Sequence, residues 1–410
     1  MNFNQRMDAY AEMLVKVGIH IKKGQALVIR APLEGRDVAV LAAKHAYESG
    51  ASDVHIVWSD DDLTLLRYKH APEDVLNHVP DFQKEMYRYY LEKGAGFLSF
   101  TGSNPDLLKQ IDPKKLQEST KHRSKAMEFY SQAMMSDQNP WTVAGIATKA
   151  WAHKVYPDMD PDDAVFKLWN DIFDMSRVTD DSVATWRDHM ERVDGLAEKM
   201  TDYGFKSLHY RNGLGTDLVI ELPEGHLWAG GGSKTPDGRD FVANIPTEEV
   251  FTLPHLGGVN GVVYATMPLV YNGNVIDRFH LRFKDGRVED FDAETGRDTL
   301  KHLLETDEGA SRLGEVALVP YDSPISNRNQ LFYNTLFDEN ASCHLALGRA
   351  YPTCLKDSEG KSKEELRQLG VNDSLVHVDF MVGSKDMEIT GETASGETIP
   401  VFRDGNWALS

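Results

Sequence analysis

The sequence is poor in cysteine and in positive charge, and each shortage excludes a class of protein. Only Cys343 and Cys354 occur among 410 residues. They are too few for a disulfide framework and lack the C-x-x-C spacing of a structural zinc site. Asp and Glu number 64 against 44 Lys and Arg, which gives a formal net charge of -20. Nucleic acids and anionic membranes bind basic surfaces, so we expect neither as the main partner.

Long apolar runs and nucleotide-binding motifs are also missing. No run approaches the length that spans a bilayer, and residues 1–18 form a polar amphipathic pattern that differs from a signal peptide. We therefore expect a cytoplasmic protein. A dinucleotide-binding domain would carry G-x-G-x-x-G after its first strand, where this chain has A-P-L-E-G-R at 31–36. The P-loop pattern is absent from the sequence as well.

The first half of the chain alternates helical and strand-like patterns. Apolar residues have helical spacing at 10–17 and 36–48. Strand-like apolar runs cover 26–29, 54–58, 97–100 and 142–146. This alternation predicts βαβ units, in which helices cover the faces of a mainly parallel sheet. We therefore predict an N-terminal α/β domain over residues 1–203, of which the last part, 161–203, is mostly helical.

The chain from residue 204 onward has a different character. Strand-like alternation is frequent, and hairpin turns are predicted at 271–274 and 284–287. Helical patterns are fewer and predict helices at 295–305 and 329–338. We therefore predict a C-terminal domain, residues 204–410, that is β-rich and of the α+β class.

One stretch in this domain, V-H-V-D-F at 376–380, places two ionisable groups on one face of a predicted strand. Side chains alternate along a strand, so His377 and Asp379 point the same way. Neutral imidazole and ionised carboxylate are both good ligands for a divalent metal. The alternative is that the two side chains hydrogen-bond each other on a half-solvated strand, and the pair alone does not decide between them.

Further acidic, His and Tyr positions lie near the ends of predicted elements in the same domain. They are the pair Glu248 and Glu249, then Glu315 at the start of a strand over 315–319, Glu339 at the end of the 329–338 helix, His344 at the start of a strand over 344–348, and Tyr351. Each alone has an ordinary explanation, such as a solvated turn or a hydrogen-bonded core histidine. Together with His377 and Asp379, and counting one glutamate of the pair, these positions supply four carboxylates and two imidazoles. Such an inventory suits two adjacent divalent ions that activate water for hydrolysis.

Four motifs of this domain occur together and in a fixed order. They are N-I-P-T-E-E-V-F-T at 244–252, E-V-A-L-V-P at 315–320, F-D-E-N-A-S-C-H-L-A-L-G-R-A-Y at 337–351 and H-V-D-F at 377–380. The set closely resembles peptidase family M29, the two-metal aminopeptidases of the aminopeptidase T, AmpS and PepS group. The resemblance covers essentially the whole chain. It implies a metal-dependent aminopeptidase that releases N-terminal amino acids from peptides with a metal-activated water.

The resemblance also implies roles for individual residues. Metal ligands are implied at Glu249, Glu315, Glu339, His344, His377 and Asp379. Among these, Glu315 is the carboxylate best placed to touch both ions, and either it or Glu248 could move a proton. Tyr351 matches a tyrosine that would hydrogen-bond the oxyanion formed during the reaction. The implied cofactors are two divalent ions per subunit (Zn, Co, Mn or Mg), and the implied partners are peptides with a free N-terminus and a second copy of the chain in a homodimer.

Two other functions stay open at this point. A metal-dependent amidohydrolase or deacylase of small amides would not require a free amino terminus on its substrate. A non-enzymatic, metal-stabilised binding protein would lose thermal stability when its metal is removed and would cleave no peptide. Both can be separated from an aminopeptidase by experiment.

Overall fold

The computed structural model describes residues 1–271 and 274–409. The α-helices are α1 Phe3–Met13, α2 Arg36–Glu48, α3 Asp61–His70, α4 Glu73–Leu76, α5 Asp81–Glu92, α6 Pro113–Ala126, α7 Glu128–Met135, α8 Lys149–Val155, α9 Pro161–Met175, α10 Ser182–Tyr203, α11 Arg297–Leu304, α12 Thr335–Asp338 and α13 Lys363–Gln368. The strands are β1 Ala26–Pro32, β2 Asp53–Ser59, β3 Gly96–Thr101, β4 Trp141–Gly145, β5 Phe205–Arg211, β6 Asp217–Glu221, β7 Gly232–Lys234, β8 Asp240–Val242, β9 Asn244–Ile245, β10 Val250–Thr252, β11 Val259–Tyr264, β12 Leu269–Tyr271, β13 Asn274–Lys284, β14 Arg287–Thr295, β15 Leu313–Leu318, β16 His344–Gly348, β17 His377–Met381, β18 Glu388–Thr393, β19 Thr398–Arg403 and β20 Asn406–Trp407.

A parallel sheet in the order β2-β1-β3-β4-β9 organises the first of two units, which comprises residues 1–190, 232–247 and 332–336. The apolar residues of β1 from 27 to 29 are fully buried, as expected for an interior strand of a sheet covered on both faces. Helix α2 then buries Val38, Ala39 and Ala42 along one side, the pattern of an amphipathic helix packed on a sheet. The predicted α/β architecture of the first half is confirmed.

Antiparallel sheets dominate the second unit, which contains the remaining described residues from 191 onward. The larger sheet runs β12-β13-β11-β6-β5-β18-β19-β20, with β14 paired to β13. The smaller sheet runs β10-β15-β16-β17, and every residue of β15 and β16 is buried. The predicted β-rich character of the second half is confirmed. No helix within the described residues is both long and apolar enough to cross a membrane.

The predicted turns and strands of the second half can be compared with the structure one by one. The turn at 284–287 is confirmed, since Asp285 and Gly286 both have positive φ (49° and 77°), as a tight type I′ hairpin requires. Of the other predicted turn, residues 272 and 273 lie outside the described residues. The predicted helix at 295–305 is α11, and the predicted strand 344–348 is β16 to the residue.

The predicted helix over 329–338 is wrong in most of its length. Only the four residues of α12 are helical, because Asn329 and Tyr333 both have positive φ (51° and 55°), which no α-helix tolerates. Glu339 therefore does not close a long helix but begins a short 3₁₀ turn, Glu339–Ala341. Glu315 also lies deeper than predicted, because its strand already begins at Leu313.

The division into units differs from the single boundary predicted after residue 203. The first unit ends at Met190, and two short segments from later in the chain, 232–247 and 332–336, also belong to it. Segment 232–247 returns because β9 pairs with β4. Segment 332–336 returns because the Phe332 carbonyl accepts a hydrogen bond from Trp151 Nε1 at 2.5 Å.

Candidate metal centre

The candidate site lies on one face of the smaller sheet, and the strand register explains why. Glu315 on β15 is directly opposite Ala346 on β16, and Ala346 is directly opposite Asp379 on β17. Residues opposite each other share a face, as do residues two apart in one strand. His344 therefore joins this face through Ala346, and His377 joins it through Asp379. Four potential donors thus surround one alanine, whose side chain is a single methyl group.

Strand β15, which carries Glu315, contains a local irregularity in its pairing with β16. The β15–β16 register shifts between Leu313 and Glu315, so the intervening Gly314 lies outside regular pairing. A Cβ atom on Gly314 would come within 2.3 Å of the Arg349 carbonyl oxygen. Only glycine allows this close backbone approach, and bulges of this kind are a common way to redirect a functional side chain.

Both histidines are oriented by backbone carbonyls. His344 Nδ1 donates a hydrogen bond to the Ser342 carbonyl at 3.1 Å, and His377 Nδ1 donates to the Arg349 carbonyl at 2.7 Å. A carbonyl can only accept, so each Nδ1 carries a proton and each Nε2 faces the carboxylates. This is the arrangement in which an imidazole is held to present Nε2 to a metal ion.

Within the described residues, the donor atoms form two groups whose members lie within 4.8 Å of one another. The first contains Glu249, Glu315 and His344, and the second contains Glu315, His377 and Asp379. Glu315 belongs to both groups. Its Oε1 is 3.5 Å from His344 Nε2, and its Oε2 is 3.4 Å from His377 Nε2. One carboxylate thus directs one oxygen into each group.

The remaining distances have the length expected between ligands of one ion. His344 Nε2 is 3.2 Å from Glu249 Oε2, and His377 Nε2 is 3.3 Å from Asp379 Oδ1. Ligands about 2.0–2.1 Å from a tetrahedral zinc ion lie roughly 3.3 Å from each other. Asp379 Oδ1 is also buried without a hydrogen bond. The oxygen and nitrogen donors, their spacing and this unsatisfied oxygen fit divalent metal ions.

The electrostatics of the cluster point the same way. Burial acts to raise the pKa of Glu315, but hydrogen bonds from His344 and His377 outweigh it and lower the pKa to about 2. Burial acts to lower the pKa of both imidazoles, yet the neighbouring carboxylates raise each of them well above its ordinary value. The cluster therefore attracts positive charge strongly, which either protons or metal ions can supply.

Of the carboxylates in the cluster, Glu249 and Glu339 have the surroundings that least favour the ionised form. Burial raises the pKa of Glu249, and the nearby charges of Glu315 and Asp379 add to the shift, although His344 opposes it. Burial and the charges of Asp379 and Glu249 raise the pKa of Glu339 well above its ordinary value. Glu339 belongs to neither donor group but lies close enough to both to interact with them, so its role as a ligand stays a prediction.

Two aromatic side chains border the cluster. The Tyr351 ring packs edge-on against His377, with ring centroids 5.0 Å apart, and Phe251 packs edge-on against Tyr351 at 5.9 Å. Burial raises the pKa of Tyr351, so its hydroxyl keeps its proton and can donate a hydrogen bond. Phe251 shares the donor face, since it is opposite Ala317, which is in turn opposite His344.

The structure therefore brings together most of the residues singled out in the sequence. Glu249, Glu315, His344, His377 and Asp379 supply the two donor groups, and Tyr351 and Glu339 lie beside them. Glu248 is buried next to Glu249, and its backbone N–H donates to Asn340 Oδ1 at 2.8 Å. Sequence reasoning missed three residues, Phe251, Asn340 and Ala346. The one available signal was their position, one or two residues from a predicted ligand.

Comparison with known proteins adds independent evidence. Residues 3–407 match the family model described as thermophilic metalloprotease (M29). The chain belongs to the M29 family. It is 50% identical to aminopeptidase 2 of Geobacillus stearothermophilus over 99% of this chain and 98% of that protein. It is 48% identical to aminopeptidase AmpS of Bacillus subtilis (strain 168) over the full length of both chains.

One solved structure agrees with this M29 membership. The structure of wild-type AmpT from Thermus thermophilus superposes with a TM-score of 0.92 at 38% sequence identity, over 100% of both chains. Family model, sequence relatives and fold therefore all assign the chain to the metalloproteases of family M29, and the chain is a peptide hydrolase. The resemblance found in its motifs is confirmed.

Proposed function

We propose that the protein is an aminopeptidase that releases N-terminal amino acids from peptides, using two divalent metal ions. Its relatives of 48–50% identity bear the name aminopeptidase. The observation that carries the two-metal part is Glu315, whose two oxygens face different donor groups. A single carboxylate placed in this way would be able to hold two ions at once, as a dinuclear site requires.

The charge of the donor set supports two ions over one. The proposed ligands are Glu249, Glu315, Glu339, His344, His377 and Asp379. With both imidazoles neutral they carry four negative charges, which two divalent ions balance. The oxygen-rich set accepts Zn, Co, Mn or Mg, because carboxylates bind all four and imidazole suits several of them. When bound, such ions lower the pKa of a water molecule and polarise the carbonyl of the scissile bond.

The protein side chains have separate tasks in this proposal. His344 and His377, held by backbone carbonyls, present Nε2 atoms in fixed positions, which avoids reorganisation during the reaction. Tyr351 donates its hydroxyl proton in a hydrogen bond to the substrate carbonyl oxygen as that oxygen becomes negative. Glu315 or Glu248 takes the proton from the attacking water and returns it to the leaving amine.

Hydrolysis of matched peptides tests this function. Short peptides with a free amine and their N-acetylated twins are incubated with protein that has been stripped by chelator and reloaded with Zn²⁺, Co²⁺ or Mn²⁺. We expect metal-dependent cleavage of the free-amine peptides alone. Cleavage of the acetylated twins as well would favour the amidohydrolase. Metal-dependent thermal stabilisation without any cleavage would favour the non-enzymatic, metal-stabilised binding protein.

Assembly follows from the family resemblance, and it stays part of the proposal together with the cytoplasmic location expected from the sequence. We infer a homodimer and a cytoplasmic location. Sedimentation equilibrium at micromolar concentration tests the dimer, since a mass near twice 46.0 kDa is expected and a mass near 46.0 kDa would contradict it.

A further inference from the structure

The buried amide of Asn340 contacts two acidic segments of the site at once. Its side chain is fully buried. Asn340 Oδ1 accepts a hydrogen bond from the backbone N–H of Glu248 at 2.8 Å, and Asn340 Nδ2 lies 3.5 Å from Glu339 Oε1. The first contact holds the residue before Glu249. The second, longer contact reaches the carboxylate of Glu339.

The chemistry of the two contacts fixes the direction of the amide. A backbone N–H can only donate, so the oxygen of Asn340 must face Glu248. The NH₂ group then faces the carboxylate of Glu339, which can only accept when ionised. A buried polar group without partners is costly, so a side chain that satisfies both segments in this orientation is strongly favoured over the flipped one.

Glu249 needs such an anchor because of its place in the fold. It immediately precedes β10, whose pairing with β15 begins at Val250 and ends at Thr252. Strand pairing adjoins Glu249 directly on its C-terminal side, whereas the nearest strand on its N-terminal side, β9, already ends at Ile245. The hydrogen bond from Glu248 to Asn340 holds the backbone on the N-terminal side. Metal ligands must be kept within about 0.5 Å of their working positions, so this second anchor affects the site directly.

We propose that Asn340 is a positioning residue that joins the Glu248–Glu249 segment to the segment beginning at Glu339, and that it thereby sets the affinity of the site for metal. This inference rests on the proposed function only in assuming that Glu249 and Glu339 act on metal. Partners that orient ligands typically change metal affinity by 10–100-fold when they are removed, and Asn340 falls in this class.

Two variants separate the two contacts. Asn340→Ala removes both of them. Asn340→Asp has nearly the same shape and keeps an oxygen for the Glu248 N–H, but replaces the NH₂ group by a second oxygen that repels Glu339. The matched control is Asn139→Ala in the first unit, which removes another buried amide, one that donates from Nδ2 to the Ala95 carbonyl at 3.0 Å.

The measurements are the zinc Kd, obtained by competition with a chromophoric chelator, and the number of ions retained after dialysis. The melting temperature of the chelator-treated protein serves as the stability control. We expect both Asn340 variants to bind zinc at least about tenfold more weakly than the wild type. The Asn139 variant should lose melting temperature and keep the wild-type Kd. If Asn340→Ala does not fold, the nearly isosteric Asn340→Asp decides.

A wild-type Kd in the folded Asn340 variants would overturn the proposal, as would an equal loss of affinity in the Asn139 variant. Failure of the proposed function gives a different result. In that case the wild type would bind zinc and cleave no peptide, while the effect of Asn340 on Kd would still be measured.

Discussion

Replacing Glu315 by glutamine probes the point at which the two donor groups meet. Glutamine keeps the shape of the side chain and removes its charge, so the β15 backbone and the packing around it should be preserved. One oxygen of the amide remains to face one donor group, and the other group meets an NH₂. We therefore expect the variant to fold and to bind metal poorly.

The size of the effect can be worked out from the electrostatics of Glu315. Contacts with His344 and His377 lower its pKa from the ordinary 4.5 to about 2. Such a shift corresponds to about 3 kcal/mol, the net amount by which the site favours the charged form of this carboxylate after the opposing effect of burial. The side chain is only 6% exposed, so solvent screens little of this interaction. A divalent ion carries at least as much positive charge, so the loss should be about 3 kcal/mol or more, roughly 100-fold in metal affinity.

Competition titration with a chelator measures this loss directly, with Glu308→Gln as the control. Glu308 lies in the same unit, is 60% exposed and pairs with Arg367 at the surface, so its variant should bind metal as the wild type does. A Glu315→Gln protein that binds two ions with the wild-type Kd would refute the assignment of Glu315 as the shared carboxylate.

Three further predictions concern the Tyr351 hydroxyl, the Ala346 side chain and the protons on the two imidazoles. Tyr351→Phe should lower kcat about 10²–10³-fold in steady-state assays with free-amine peptides while metal content and KM stay near wild type, and an unchanged kcat would exclude the oxyanion role. Ala346→Val should fill the space between Glu315 and Asp379 and reduce the ions retained after dialysis, whereas Ala346→Ser should retain them; circular dichroism checks that both are folded. Nearby carboxylates raise the pKa of His344 and His377, so these imidazoles hold protons that a metal must displace. Metal affinity should therefore rise with pH, and calorimetry in buffers of different ionisation enthalpy should show proton release; binding that is independent of pH would contradict this.

Local patterns predicted the fold well where local forces decide it. The helix predicted over 36–48 is α2 to the residue, because its apolar spacing matches the face that packs on the sheet. The helix predicted over 329–338 failed because tertiary contacts override that pattern. Phe332 is buried and its carbonyl accepts a hydrogen bond from Trp151, which lies 181 residues away in the sequence. No local pattern could reveal that contact, nor the left-handed conformation of Tyr333.

The candidate site likewise combines features that local sequence patterns predict with features that depend on tertiary structure. His377 and Asp379 could be placed on one face from their spacing alone, because the period of a strand is two. The convergence of Glu249, Glu315 and His344 depends on the order of strands in the smaller sheet, which no spacing encodes. The motif set indicated these residues only through the family. Asn340 was indicated only by its position beside Glu339, since its importance lies in contacts that exist only in the folded chain.

Titration of activity with metal tests the central claim most directly. Chelator-stripped protein receives zinc or cobalt in steps of a fraction of an equivalent, and cleavage of a free-amine peptide is measured after each step. The dinuclear proposal predicts that activity rises until about two ions per subunit are bound and then becomes constant. Full activity at one ion per subunit, with no gain from the second, would contradict it.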